Sequence, residues 1–109
     1  MKEKKYTSLN EFYPYYLSEH QNKTCRLLHV IGTTLFFVFL MGAFLFHKIE
    51  MLWLCPIAGY GFAWVGHFFF EKNKPATFEY PLYSLLSDFR MYFEIVAGKE
   101  KINTNDGKL

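Results

Sequence analysis

The chain has 109 residues, enough for one domain, and 51% of them are hydrophobic and 21% aromatic. A soluble core of this length cannot bury so many large apolar side chains. The net charge of +2 is small and no basic stripe carries interleaved aromatics, which argues against a nucleic-acid partner. Because the charges lie at the ends and the apolar residues in the middle, membrane lipid is the expected surrounding.

The N-terminal part of the chain predicts a short helix at the membrane surface. Residues Met1–Thr7 are charged and expected to be mobile. Ser8-Leu9-Asn10-Glu11 then matches a capping box, in which serine and glutamate satisfy free backbone donors of a starting helix. The aromatic, amphipathic residues that follow indicate an interfacial helix over 8–22.

Two long apolar segments come next. Neither Leu27–Phe46 nor Met51–Phe70 contains an acid, a lysine or an arginine, so each is long enough to cross a bilayer core of about 30 Å as a helix. We predict spans over 23–46 and 51–71 that are joined by a short turn and are therefore antiparallel. Small surfaces for close helix contact are expected at five glycines: Gly32, Gly42, Gly59, Gly61 and Gly66.

The distribution of basic residues predicts the orientation. Lysines and arginines precede the first span and follow the second, whereas Lys48 stands alone between them. The positive-inside rule then places both termini in the cytoplasm, in a bacterial inner membrane or the endoplasmic reticulum. No cleaved signal peptide is expected, since the first apolar segment starts late and is long.

The last helix is predicted over 81–97 and is followed by a disordered tail over 99–109. Pro81 suits a first helical turn and Gly98 a helix end, and apolar residues recur between them at helical spacing. This helix is expected at the membrane surface. The predicted fold is therefore an all-α, two-span antiparallel hairpin in one domain, with amphipathic interfacial helices on both sides. Two free cysteines and a possible homodimer complete the expectation.

Polar residues within the spans form two stripes, each with a spacing of four, three and four. The first contains Asn22, Arg26, His29 and Thr33, and the second contains Tyr60, Trp64, His67 and Glu71. A turn centred between Lys48 and Ile49 puts His29 near His67, Arg26 near Glu71, and Thr33 near Trp64. His20 joins this group only if the chain bends before His29.

Three neutral imidazoles and a carboxylate at the mouth of a hairpin suit iron or zinc with positions left open for substrate. The candidate ligands are His20, His29, His67 and Glu71, and the residues do not decide whether Glu19 or Glu71 ligates the metal. The alternative is that the histidines only form hydrogen bonds within the helix interface. Trp64 is a candidate pocket residue, and Asn22 and Asn73 either position ligands or cap helices. Asp88 either approaches the cluster from the last helix or is a surface acid of that interfacial helix, and we expect the surface position, without a role in the site.

Two stretches of the chain resemble a known family. They are FYPYYLSEHQNKTCRLLHVIGT and GYGFAWVGHFFFEKNKPATFEYPLYSLLSDFRM, which carry EHxN, RxxHxxGT and GHxxxExNxPA in order. The resemblance covers roughly Phe12–Met91. The family, long labelled a domain of unknown function, includes the fungal 2-hydroxypalmitate dioxygenase.

The resemblance implies an Fe(2+)-dependent dioxygenase that uses O2 to oxidise 2-hydroxy long-chain fatty acids and shorten them by one carbon. The family's histidines correspond to His20, His29 and His67, and Glu71 falls at its acidic position. Arg26 either pairs with the substrate carboxylate or pairs with Glu71. Two other functions remain open, a non-catalytic membrane lipid-binding or adaptor protein and a zinc-dependent lipid hydrolase.

Overall fold

The computed structural model describes residues 5–102, and these contain helices and no strand. Four α-helices occur in the order α1 (Leu9–Ser18), α2 (Lys23–Leu45), α3 (Leu54–Val65) and α4 (Pro81–Val96). A 3-10 helix over Ile49–Trp53 leads into α3, and a π-helical segment over Gly66–Glu71 continues from it. A second 3-10 turn, Ala76–Phe78, precedes α4. Within 99–109, the predicted tail from residue 103 onward lies outside the described residues.

The first helix begins where the capping motif predicts but ends four residues early. The Ser8 hydroxyl accepts a hydrogen bond from Glu11 N at 3.2 Å, while the Glu11 carboxylate accepts from Thr7 N at 3.1 Å. Regular helix stops at Ser18, and Asn22 then caps α2 by accepting from Cys25 N at 3.1 Å. Residues 19–22 are therefore a bend between two helices, and the predicted helix over 8–22 is too long.

Two segments are long and apolar enough to cross a membrane: Lys23–Leu45 and Ile49–Glu71. They pack closely at three glycines. A Cβ atom on Gly32 would lie 2.9 Å from Ala58 O, one on Gly66 would lie 2.9 Å from Cys25 Sγ, and one on Gly42 would lie 2.8 Å from Met51 Cε. Gly59 and Gly61, also expected at close contacts, have no described atom within 4 Å of such a Cβ.

These contacts correct the expected register of the two segments. Cys25 lies beside Gly66 and Gly32 beside Ala58, so Thr33 is not level with Trp64 as the predicted turn would require. The reversal comes earlier than expected, because α2 ends at Leu45 and His47 adopts a left-handed conformation with φ 53°. Ile49–Trp53 therefore already runs back along α2.

A cluster of buried apolar side chains lies outside the two long segments. Its members come from α1, the Ala76–Phe78 turn, the residue that precedes α4, and α4 itself, and they are Phe12, Tyr13, Tyr16, Ala76, Tyr80 and Met91. Tyr6 packs on this cluster, with ring centroids 5.7 Å from Phe12 and 5.5 Å from Tyr80, so the ordered chain begins before Ser8. This aromatic layer holds α1 and α4 together over one end of α2.

Helix α4 buries its polar side. Ser84 and Ser87 are buried, whereas Leu82, Leu86, Phe93 and Val96 are exposed. The helix crosses α2 near its middle, where the Phe89 ring lies 5.5 Å from Phe36 and the Phe93 ring 6.0 Å from Phe37. Cys25 and Cys55 are both buried and free, as the sequence predicts.

Candidate metal centre

Three histidines from three parts of the chain meet at the start of α2. His20 comes from the bend, His29 from α2 and His67 from the π-helical segment. Their ring centroids are 4.6 Å apart for His20 and His29, 4.3 Å for His20 and His67, and 5.1 Å for His29 and His67. One potential ligand atom from each lies within 4.8 Å of the other two. The exposed fractions are 1%, 5% and 2%.

The bend between α1 and α2 brings His20 to the other two. The backbone N of His20 donates to Leu17 O at 3.0 Å, and its Nδ1 lies 2.6 Å from Tyr16 O. Arg26 Nε donates to the carbonyl of His20, which ties the bend to the first turn of α2. The structure therefore contains the bend that the sequence required for a three-histidine cluster.

Each of the other two rings is also held through Nδ1. His29 Nδ1 lies 2.8 Å from Cys25 O, one helical turn earlier. His67 Nδ1 lies 2.8 Å from Asn73 Oδ1. Asn73 reaches back because Lys72 is left-handed, with φ 62°, and lets Asn73 N donate to His67 O at 3.0 Å. With an oxygen acceptor at each Nδ1, that nitrogen carries the proton and Nε2 keeps its lone pair.

The free nitrogens fit a metal ion. His20 Nε2 is buried and has no hydrogen-bond partner among the described residues, which is costly for a polar atom without a ligand. Burial lowers the pKa of His20 well below its ordinary value, and the neighbouring His29 and His67 lower it further. A neutral imidazole is the form that binds metal, and a carbonyl or amide oxygen on Nδ1 is the usual way of orienting it.

Asp88 of α4 also reaches the cluster, whereas the surface of the last helix was the expected position for this residue. Its Oδ1 lies 4.0 Å from His29 Nε2 and accepts a hydrogen bond from the Tyr16 hydroxyl. The side chain is 20% exposed, and burial raises its pKa to about 7 although the Tyr16 hydrogen bond lowers it. The signal for it in the sequence is the polar side of α4, which contains Ser84, Ser87 and Asp88.

Glu71, by contrast, is not brought to the three nitrogens. Its Oε2 accepts from Asn22 N at the start of α2, and it is not part of the group of converging ligand atoms. Glu19 contacts Asn73, whose Nδ2 donates to Glu19 O at 3.1 Å and Oε1 at 3.3 Å. Neither carboxylate is placed as a ligand, so the geometry favours neither of the two acids that the sequence left open.

Two further candidates are engaged elsewhere. Arg26 is 2% exposed and its Nη1 donates to Glu100 Oε1 at 2.9 Å and to Lys101 O at 2.6 Å, so it pairs with Glu100 and not with Glu71. Trp64 packs on Phe78 with centroids 5.4 Å apart. Of the two asparagines, Asn22 caps α2 by accepting from Cys25 N, and Asn73 Oδ1 lies against His67 Nδ1.

Fold and site together define a helical protein that has two helices apolar enough to cross a membrane and a buried three-histidine centre suited to a metal ion. The model of a protein family described as 2-hydroxy-palmitic acid dioxygenase Mpo1-like matches residues 6–100. The chain therefore belongs to this Mpo1-like family. No curated protein and no solved structure matches it.

Proposed function

We propose that this protein is an iron(II)-dependent dioxygenase that acts in the α-oxidation of 2-hydroxy long-chain fatty acids and shortens them by one carbon. The observation that carries the proposal is the cluster of His20, His29 and His67. Each Nδ1 lies within hydrogen-bond distance of an oxygen, and one potential ligand atom from each residue lies within 4.8 Å of the other two. Membership of the Mpo1-like family supplies the substrate class and the oxidant.

The three histidines are the residues that would hold the ion. Nitrogen ligands suit iron(II), and three ligands leave coordination positions for other groups. When bound, iron supplies the activation of O2 that the reaction requires. One 2-hydroxy acid and one O2 balance to the shortened acid, CO2 and water, so no added reductant is needed.

The chain's own residues position the partners of this reaction. Asn73 and the carbonyls of Tyr16 and Cys25 fix the tautomers of the three rings. We assign to Asp88, whose carboxylate lies 4.0 Å from His29 Nε2 and accepts from the Tyr16 hydroxyl, the role of accepting a hydrogen bond from the 2-hydroxyl of the substrate. Arg26 acts through the bend, by holding the carbonyl of His20, and does not bind substrate.

We further propose that the two long segments form an antiparallel hairpin that spans the membrane twice, with both termini cytoplasmic and the metal centre near that face. The exposed apolar side of α4 supports contact with lipid, and the single Lys48 between the segments supports the orientation. A cysteine introduced at the exposed Glu50 should react with an impermeant thiol reagent only from the non-cytoplasmic side. Labelling from the cytoplasmic side would contradict the topology.

The central experiment is metal analysis with O2 uptake on 2-hydroxypalmitate, using protein purified anaerobically. Wild type should contain about one iron per chain and consume O2 in step with the shortened acid. His67→Ala should lose most of the iron, because two nitrogens hold iron(II) much less tightly than three. Its activity should fall by about 100-fold or more.

The matched control is His47→Ala, which changes the one exposed histidine outside the cluster and should keep both iron and activity. A correctly inserted wild-type protein without affinity for iron would refute the proposal and favour the lipid-binding alternative. Activity with zinc that does not depend on O2 would instead indicate a hydrolase.

A further inference from the structure

A cavity of about 230 Å³ lies beside the metal centre, between α2, α3 and α4. His29 and Asp88 line it, so the cavity and the histidine cluster share a wall. Most of its other lining is apolar and includes Phe36, Ala63 and Phe89. Apolar cavities of about 150 Å³ already accept small hydrocarbons, so this one is large enough for several carbon atoms.

The two ends of the cavity differ in polarity. On α2 its lining runs from His29 to Phe36, and on α3 from Ala63 back to Cys55, whose Sγ donates to Phe36 O at 3.5 Å. The polar groups His29 and Asp88 therefore lie at one end, and Phe36 and Cys55 at the other. The helical rise over these residues gives a length of roughly 10–12 Å.

We infer that this cavity binds the alkyl chain of the 2-hydroxy acid, with the carboxylate and hydroxyl at the His29–Asp88 end and the first carbons of the chain directed toward Cys55. The inference rests on the proposed function and adds the place where the chain binds. The length of an extended alkyl chain per carbon is close to the rise of a helix per residue. A cavity as long as seven or eight helical residues therefore holds on the order of eight carbons.

Two glycines that lie two residues apart on α3 provide a matched test. Gly59 lines this cavity, whereas Gly61 lines a different apolar groove on the other side of α2 and α3, next to Leu28 and Phe62. A Cβ atom at either glycine would meet no described atom within 4 Å. A methyl group is therefore accommodated at both positions, and a longer side chain extends toward the cavity from Gly59 and toward the outer groove from Gly61.

The experiment compares wild type, Gly59→Leu and Gly61→Leu in lipid nanodiscs. Binding of 2-hydroxypalmitate to metal-free protein is measured by displacement of a fluorescent fatty acid, and KM is measured for 2-hydroxypalmitate and for 2-hydroxybutanoate on iron-loaded protein. Gly59→Leu should weaken binding of 2-hydroxypalmitate and raise its KM at least tenfold, because several methylenes lose their apolar site. Values for 2-hydroxybutanoate should change less than twofold.

Gly61→Leu should bind 2-hydroxypalmitate as wild type does. Gly59→Ala replaces Gly59→Leu if the latter inserts poorly, and it should give an intermediate loss of affinity for 2-hydroxypalmitate. Equal affinity of wild type and Gly59→Leu for 2-hydroxypalmitate would overturn the inference, as would a larger effect of Gly61→Leu, which would place the chain in the outer groove. Failure of the proposed function is distinguishable, because it appears as absent iron and absent oxidation in wild type, while displacement from metal-free protein still reports on the cavity.

Discussion

The Nδ1 atoms of the three histidines contact two kinds of oxygen. His20 and His29 contact the backbone carbonyls of Tyr16 and Cys25, which any residue could supply, whereas His67 contacts the side-chain amide of Asn73. Substitution can therefore remove the support of His67 without touching a ligand. Asn73 is consequently the residue at which ring orientation is open to direct test.

Asn73→Ala should lower iron affinity by about 10–100-fold, because His67 loses the acceptor that fixes its tautomer. Asn73→Asp keeps an acceptor and should retain most of the affinity. The measurement is a competitive titration of iron(II) against a chelator. Asn22→Ala is the control, since it removes a helix cap and should cost about 1 kcal/mol of stability while leaving iron affinity unchanged. Equal iron affinity in wild type and Asn73→Ala would show that Asn73 has no orienting role.

At the scale of helices, close packing of α2 on α3 depends on particular glycines. Gly32→Ala should destabilise the protein by about 1–3 kcal/mol, because the added methyl meets the backbone oxygen of Ala58, which cannot move aside as a side chain would. Thermal unfolding in a fixed detergent measures this change.

Gly61→Ala is the matched control for Gly32→Ala. It adds a methyl group in open space and should stabilise the helix by up to about 1 kcal/mol through its propensity. A neutral effect of Gly32→Ala would mean that the two segments separate easily.

Helix α4 shows how an apolar pattern acquires its meaning from the surroundings. The spacing of its leucines and phenylalanines predicts one apolar face, but in the structure part of that face is exposed while Ser84 and Ser87 are buried. In water this arrangement would be unfavourable, and in lipid it places the apolar side chains outward. It also carries Asp88 inward, which is why a residue assigned to the surface reaches His29.

At the scale of the whole molecule, the segment after α4 is tied to the start of α2 by Arg26 and Glu100. Burial raises the pKa of Glu100, but hydrogen bonds from Arg26 and the Lys101 backbone, with the Arg26 charge, hold it below its ordinary 4.5. Because the folded pKa is the lower one, Glu100 stabilises the fold above about pH 4.5 and loses this contribution as the pH falls through the folded value.

Glu100→Gln should therefore lower the free energy of unfolding by roughly 1 kcal/mol or less at pH 7 and have a smaller effect at about pH 3. Unfolding followed at both pH values tests this. Glu50→Gln, at an exposed position in the turn, should match wild type throughout. A deficit of Glu100→Gln that is the same at both pH values would exclude the ion pair as its cause.

Much of the candidate site follows from local spacing. The residues alone determine two apolar segments, the capped start of α1, the start of α4 at Pro81, and the helical faces on which His29 and His67 lie. Each of these depends only on neighbours within a few turns. The need for a bend before His29 also follows from its position nine places after His20, which would lie on the opposite face of one continuous helix.

Tertiary structure decided the remainder. The level at which the two long segments face each other depends on where the chain reverses. The reversal occurs at left-handed His47, earlier than the predicted turn between Lys48 and Ile49. Left-handed Lys72 sends Asn73 back to His67, and the crossing of α4 over α2 brings Asp88 to the cluster while Glu71 caps α2. Contacts between residues far apart in sequence depend on the direction in which each helix leaves its turn, so helical periodicity within one segment cannot determine them.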